Sequence, residues 1–201
     1  MILIQVYHQT VPKKVDHEER RHQIAEAVVR IASTRGLQAA SMREVAAEAG
    51  VSLRLVQYYF HTKQDLLAAV LAYLGEQISR RMTRSVAALG GTTDPRAFLY
   101  GALTALLPTD AESRRIVLAY TAHFTEALTD PGQAAAGVAY ADALRDVVTE
   151  QFRLAKVSGD PETRAAVTLA LVTGLQLSVL AGQCTGGEAV ALLTAHLDGM
   201  W

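Results

Sequence analysis

Between positions 41 and 63 the chain gathers side chains suited to contact with a nucleic acid. Ser52, Arg54, Gln57 and Tyr58 fall close together, and their chemistries divide into two kinds. An Arg guanidinium pairs with guanine and a Gln amide with adenine, whereas Ser and Tyr hydroxyls hold phosphate oxygens. Lys63 follows at the expected start of a helix, where free backbone N–H groups already favour an anion. The competing reading of the same residues is a helical hairpin with a solvated polar face. Elsewhere there is no nucleophile beside a base, no carboxylate pair at useful spacing and no glycine-rich phosphate loop. No catalytic residue, cofactor or metal site is therefore expected.

The elements that must position these residues are helices. Asp16 to Arg35 carries Ile24, Ala27, Val28, Ile31 and Ala32 at helical spacing, with Gly36 placed to stop it. Ser41-Met42-Arg43-Glu44 has the S-x-x-E form of a capping box and opens a short helix to Ala49, ended at Gly50. Ser52 caps a third helix running to about Tyr59, and Thr62 and Asp65 open a long fourth one to about Ala88. Two short helices around a tight turn make a helix-turn-helix, with Ala46 and Ala47 allowing a close crossing and Val45, Val51 and Val56 as core.

This stretch resembles the TetR-type repressors. The matching residues are Arg21-His22-Gln23-Ile24-Ala25-Glu26-Ala27, Gly36, Ser41 to Ala46, Ala49-Gly50-Val51-Ser52, Tyr59-Phe60, and Lys63 with Leu66-Leu67. They join a helix, a turn, an aromatic pair and a lysine at fixed spacings, densely from Asp16 to Val70. The resemblance implies a third helix in the major groove, a long fourth helix leading to a C-terminal domain with a ligand cavity, and a dimer formed by the last two helices. It also implies ligand release from a palindromic operator on double-stranded DNA. Carried over by position, Ser41, Arg43, Ser52, Tyr58, Tyr59 and Lys63 become phosphate-holding residues, and Arg54 and Gln57 base-reading ones. Arg54 and Gln57 depart from the Gly and Tyr that many members carry, so an operator sequence does not transfer.

Composition agrees with an all-α fold. Half of the chain is hydrophobic and 19% charged, which excludes a chain disordered by composition. Met1 to Ala88 holds 12 Lys+Arg against 8 Asp+Glu, and Leu89 to Trp201 holds 7 against 12. A basic first part thus precedes an acidic second part, as in a nucleic-acid-binding module joined to one that avoids phosphates. Beyond Gly90-Gly91, the pairs Asp94-Pro95, Asp130-Pro131 and Asp160-Pro161 each announce a helix, because Asp caps free N–H groups and Pro has none to satisfy. With Asp110 capping Ala111 to Leu128, and Gly186-Gly187 preceding a last helix from Glu188 to Met200, nine helices are expected. The divisions are an arm or extension at 1–15, a helix-turn-helix domain at 16–68 and a sensing and dimerisation domain at 69–201.

In the second part, Phe98, Tyr120, His123, Phe124, Tyr140 and Gln176 sit within apolar helices and are candidates to line a pocket for a hydrophobic or amphipathic effector. Plain core packing with a satisfied polar tip is the alternative for each. Leu171, Leu175, Val179, Leu192, Leu193 and Leu197 are candidates for a homodimer seam. Ala165 to Gly182 is almost wholly apolar and just long enough for a membrane span. Gln176, Thr168, Thr173 and Ser178 dilute it, so burial between a core and a second subunit is the preferred reading. Cys184 is the only cysteine, which excludes an intramolecular disulfide and suits a cytoplasmic setting. Met1 to Thr10 lacks the form of a signal peptide; it reads as an upstream extension, with translation expected to begin at Val11. Other outputs compatible with the sequence are an activator or ligand-independent regulator, a helical-bundle enzyme, or a protein-interaction module.

Overall fold

The computed structural model describes the backbone of residues 14–90, 93–128 and 131–201, and side chains at 17–90, 93–126, 128 and 141–201. The readings made for Met1 to Thr10 and for a start at Val11 lie outside these residues. The described residues form nine α-helices and no strand: α1 (Lys14–Arg35), α2 (Met42–Ala49), α3 (Leu53–Tyr59), α4 (Lys63–Ala88), α5 (Pro95–Ala105), α6 (Ala111–Ala127), α7 (Pro131–Leu154), α8 (Pro161–Leu180) and α9 (Gly186–Asp198). A 3-10 turn, Leu37–Ala39, links α1 to α2.

The helix starts follow from local chemistry. Asp94 and Asp160 cap α5 and α8, with Pro in the next position. Thr62 with Asp65, and Asp110 with Ser113, form reciprocal boxes at α4 and α6. At α2 only half of the expected box forms. The Ser41 hydroxyl accepts from the Glu44 N–H at 3.2 Å, but the Glu44 carboxylate turns to the Arg35 guanidinium at 3.0 Å and ties α2 to the end of α1. The start of α9 corrects the sequence reading. Thr185 caps it in a reciprocal box with Glu188, so Gly186 and Gly187 lie in its first turn and do not precede it. Asp130 lies outside the described residues.

Two cores result. The first joins Ile24, Val28 and Ile31 of α1 to Val45 of α2, Val56 of α3, Phe60, and Leu66, Leu67, Val70 and Leu74 of α4. Ile116 and Ala119 of α6 close it from the side. The second joins Leu99 and Leu103 of α5, Val148 and Phe152 of α7, Val172, Leu175 and Val179 of α8, and Leu193 and Leu197 of α9. Ile78, midway along α4, packs against both. Because α4 runs unbroken through positions 68 and 69, the two parts of the chain share one helix.

α8 is the one described helix long and apolar enough to cross a bilayer, with mean hydropathy 1.4. Here it packs against α7 and α9 and turns Ala165, Val172, Leu175 and Val179 inward. Val167 and Leu177 remain exposed. Cys184 sits half-buried at the edge of the second core.

Candidate nucleic-acid interface and cavity

The turn between α2 and α3 is built by Gly50, whose φ of 67° lies in the left-handed region that side chains disfavour. Its N–H bonds to the Ala47 carbonyl at 3.2 Å, and the Val51 N–H returns to Ala46 at 3.0 Å. The Gln23 amide donates to the Ala49 carbonyl at 2.8 Å, so α1 holds the end of α2. The Ser52 hydroxyl caps α3 by accepting from the Leu55 N–H at 3.2 Å. With Val56 fully buried beneath it, α3 turns Arg54, Gln57 and Tyr58 to solvent, Tyr58 being 64% exposed. Ser41 and Arg43, at the start of α2, are exposed as well.

Two of the residues assigned to phosphate are otherwise engaged. Tyr59 is half-buried, its hydroxyl hydrogen-bonded to His17 Nδ1 at 2.8 Å and its ring edge-on to Tyr58. Its carbonyl accepts from Arg21, whose guanidinium also lies over the Phe60 ring at 4.7 Å. Tyr59 thus fastens α3 to α1. Lys63 stands at the first position of α4 as expected, yet its Nζ lies 3.6 Å from Glu126 Oε1 at the end of α6. Gln38 donates to the same oxygen at 3.0 Å. These contacts join the helix-turn-helix to α6, a connection that spacing along the sequence does not reveal.

A cavity of about 420 Å³ opens between α4, α5, α6, α7 and α8. Tyr120 and Gln176 line it, together with apolar Ile116, Val117, Leu144, Leu169 and Val172. Burial pushes the Tyr120 phenol above its ordinary range. The Gln176 amide N–H donates to the Leu106 carbonyl at 2.8 Å, which orients its oxygen. Two charged lining residues escaped the sequence reading, Arg81 of α4 and Arg145 of α7. An arginine on an amphipathic helix reads as solvated; only the three-residue step from Ile78 to Arg81 hinted that both share a face.

The other pocket candidates fall elsewhere. Phe98 lines a separate, more open cavity with Met82, Val86 and Val147 between α4, α5 and α7. Phe124 is 53% exposed and lines neither cavity. The Tyr140 side chain lies outside the described residues. His123 is 4% exposed, and neither ring nitrogen has a hydrogen-bond partner. Burial lowers its pKa while the nearby Glu126 carboxylate opposes that shift, and the ring stays out of the cavity lining.

The six leucine and valine candidates for a subunit seam also divide. Leu175, Val179, Leu193 and Leu197 are buried in the protomer's own second core, and Leu171 packs against it. Only Leu192 is freely exposed, at 54%. Among the described residues no cluster of His, Cys, Asp and Glu has the form of a metal site.

Comparison with known proteins agrees with both halves. A model of bacterial regulatory proteins of the tetR family matches residues 24–70, and one of the C-terminal part of BetI-type transcriptional repressors matches residues 95–201. The HTH-type transcriptional regulator PksA of Bacillus subtilis is 31% identical over 175 residues, covering 85% of this chain and 83% of its own. BetI of Rhizobium meliloti is 28% identical over 167 residues, covering 83% and 81%. Among solved structures, a transcriptional regulator from Rhodococcus sp. Rha1 superposes with a TM-score of 0.80 at 28% identity, covering 90% of this chain and 95% of its own. A putative regulator from Saccharomonospora viridis, solved in complex with choline, gives 0.78 at 24% identity, covering 90% and 96%. With a helix-turn-helix in the matched first part and a helical second part matched over its length, the chain belongs to the TetR family of transcriptional regulators.

Proposed function

We propose that this regulator is a repressor that binds a palindromic operator as a homodimer and lets go when a small hydrophobic or amphipathic molecule enters the 420 Å³ cavity. The observation that carries the reading is α3, fixed from below by Val56 and capped by Ser52, with Arg54, Gln57 and Tyr58 outward. Arg54 and Gln57 have the donor and acceptor patterns for base edges, while Tyr58, Ser41 and Arg43 suit phosphates. Choline bound to a protein of the same fold supports reading the second part as a small-molecule sensor.

Dimerisation is assigned to the exposed side of α8 and α9. Val167, Gly174 and Leu177 lie on the exposed side of α8, and Leu192 adds to it from α9. A Cβ on Gly174 would meet nothing within 4 Å, so that face is open to a close helix crossing. A two-fold axis through it would set two α3 helices about one turn of DNA apart, or a multiple, which requires an inverted repeat.

The test is to mix the purified protein with sheared DNA from its own genome and sequence the bound fragments. The wild type enriches one short inverted repeat, and a variant carrying Arg54→Ala and Tyr58→Ala does not. Equal enrichment by both proteins, or none by either across a salt series, would overturn the assignment. Whether the regulator represses then follows from whether the repeat overlaps a promoter.

A further inference from the structure

The charged residues among the described lining of the cavity are of one sign. Among the described residues of its lining, Arg81 and Arg145 are the only ionised side chains, and none is a carboxylate. The acids that partner them stand outside that lining. Arg81 donates from Nε to the Ala105 carbonyl at 2.9 Å and pairs with Asp110 at 2.6 Å and Glu112 at 3.5 Å. Arg145 pairs with Asp142 at 3.1 Å, one turn back on its own helix. Arg81 is thus held by two carboxylates, whereas Arg145, half exposed and paired with one, is the guanidinium more open to a ligand. The remaining described walls are mostly aliphatic, with Ser113, Thr173 and Gln176 polar, and Tyr120 is the only aromatic ring among the described lining residues.

We propose that the effector is an amphipathic monoanion, a carboxylate carrying an aliphatic or alicyclic body. The proposal rests on the reading of this cavity as the effector site. The planar fork of an arginine takes a carboxylate through two parallel hydrogen bonds, stronger than neutral ones because both partners are charged. The body of the ligand then covers Ile116, Val117, Leu169 and Val172, where burial of apolar area drives binding. The Thr173 hydroxyl oxygen, whose proton goes to the Leu169 carbonyl, and the Gln176 oxygen can accept from a hydroxyl along that body.

The proposal is tested by calorimetric titration of the full chain with three ten-carbon probes: decanoate, decanol and decyltrimethylammonium. Decanoate should bind at least about tenfold more tightly than either of the others, and Arg145→Gln should remove most of that advantage. Arg145 is half exposed, so its loss leaves the cores intact, and thermal melting of the variant verifies this. Arg145→Glu should invert the order in favour of the cation. Failure of decanoate to bind at millimolar concentration, or binding no tighter than the cation, would overturn the proposal. Retained decanoate preference in a folded Arg145→Gln variant would do so too. Selective decanoate binding that leaves operator affinity unchanged supports the anion assignment and counts instead against release by this ligand.

Discussion

His123 is buried, and neither of its ring nitrogens has a hydrogen-bond partner, an arrangement that sets a direction for stability against pH. Burial lowers its pKa below the ordinary 6.5, so the unfolded chain takes up a proton before the folded one does. Stability is then complete above pH 6.5, falls as the pH drops through that value, and levels off below the folded pKa. His196 is shifted the same way, by burial and by Arg164, and adds to the slope. Denaturant melts at pH 7.5 and 5.5 should show a smaller loss for His123→Leu than for the wild type. An unchanged loss would mean that His123 is solvated in solution. At the same scale, Arg54→Ala should cost about 1–3 kcal/mol and relax preference at one base position, measured by binding to an operator series. Equal weakening on every sequence would reduce Arg54 to a phosphate contact.

Among the elements, the junction of α6 with the helix-turn-helix is the place where sequence and structure part company most. The place of Lys63 at the head of α4 was legible in the sequence, and its proposed role as a phosphate ligand draws on the anion preference of helix starts. Its engagement by Glu126 was not legible, since the two residues lie 63 positions apart and no periodicity links them. In the proposed complex, DNA phosphates and the Glu126 carboxylate would compete for one ammonium group. Glu126→Gln should therefore raise operator affinity by about two- to fivefold, the range of a partly exposed ion pair. Fluorescence anisotropy at fixed salt measures this, and no change would place Lys63 away from the phosphates. The helix boundaries were far more legible. Asp94-Pro95 and Asp160-Pro161 stand where they were expected because capping is a local transaction between neighbours. Gly186-Gly187 misled because glycine was taken as a break, whereas the Thr185–Glu188 box starts the helix before it.

At the scale of the whole molecule, the all-α fold with nine helices was readable from caps and periodicity, but the distribution of leucines between core and surface was not. A helix apolar on every side gives no periodic signal for which face is inward. The structure makes the difference testable. Leu193→Ala opens a hole in the second core and should cost about 2–5 kcal/mol of stability. Leu177→Glu, on the exposed face of α8, should leave the melting of the protomer nearly unchanged while shifting sedimentation from dimer to monomer. A dimer that survives Leu177→Glu would move the subunit contact elsewhere. The long helix α4 carries Lys63 near one end and Arg81 eighteen residues on, about 27 Å along a single rod. The end of α4 beside the helix-turn-helix and the lining of the cavity therefore belong to one body.

The glycine at position 186 bears on that lining from a distance. A Cβ there would stand 2.9 Å from the Thr109 Cα and 3.2 Å from the Pro108 carbonyl oxygen, and neither atom has a flexible side chain to move aside. The same loop supplies the Thr109 hydroxyl and Asp110 carboxylate that hold Arg81, at 3.2 and 2.6 Å. The space between α9 and this loop is a shim whose thickness is one hydrogen atom. Adding a methyl group would jack the loop outward and reset the aim of a guanidinium without altering any lining residue. Tuning of this regulator by mutation need not touch its ligand: a machining tolerance at the foot of α9 is enough, and it would be read as a changed effector affinity in Gly186→Ala.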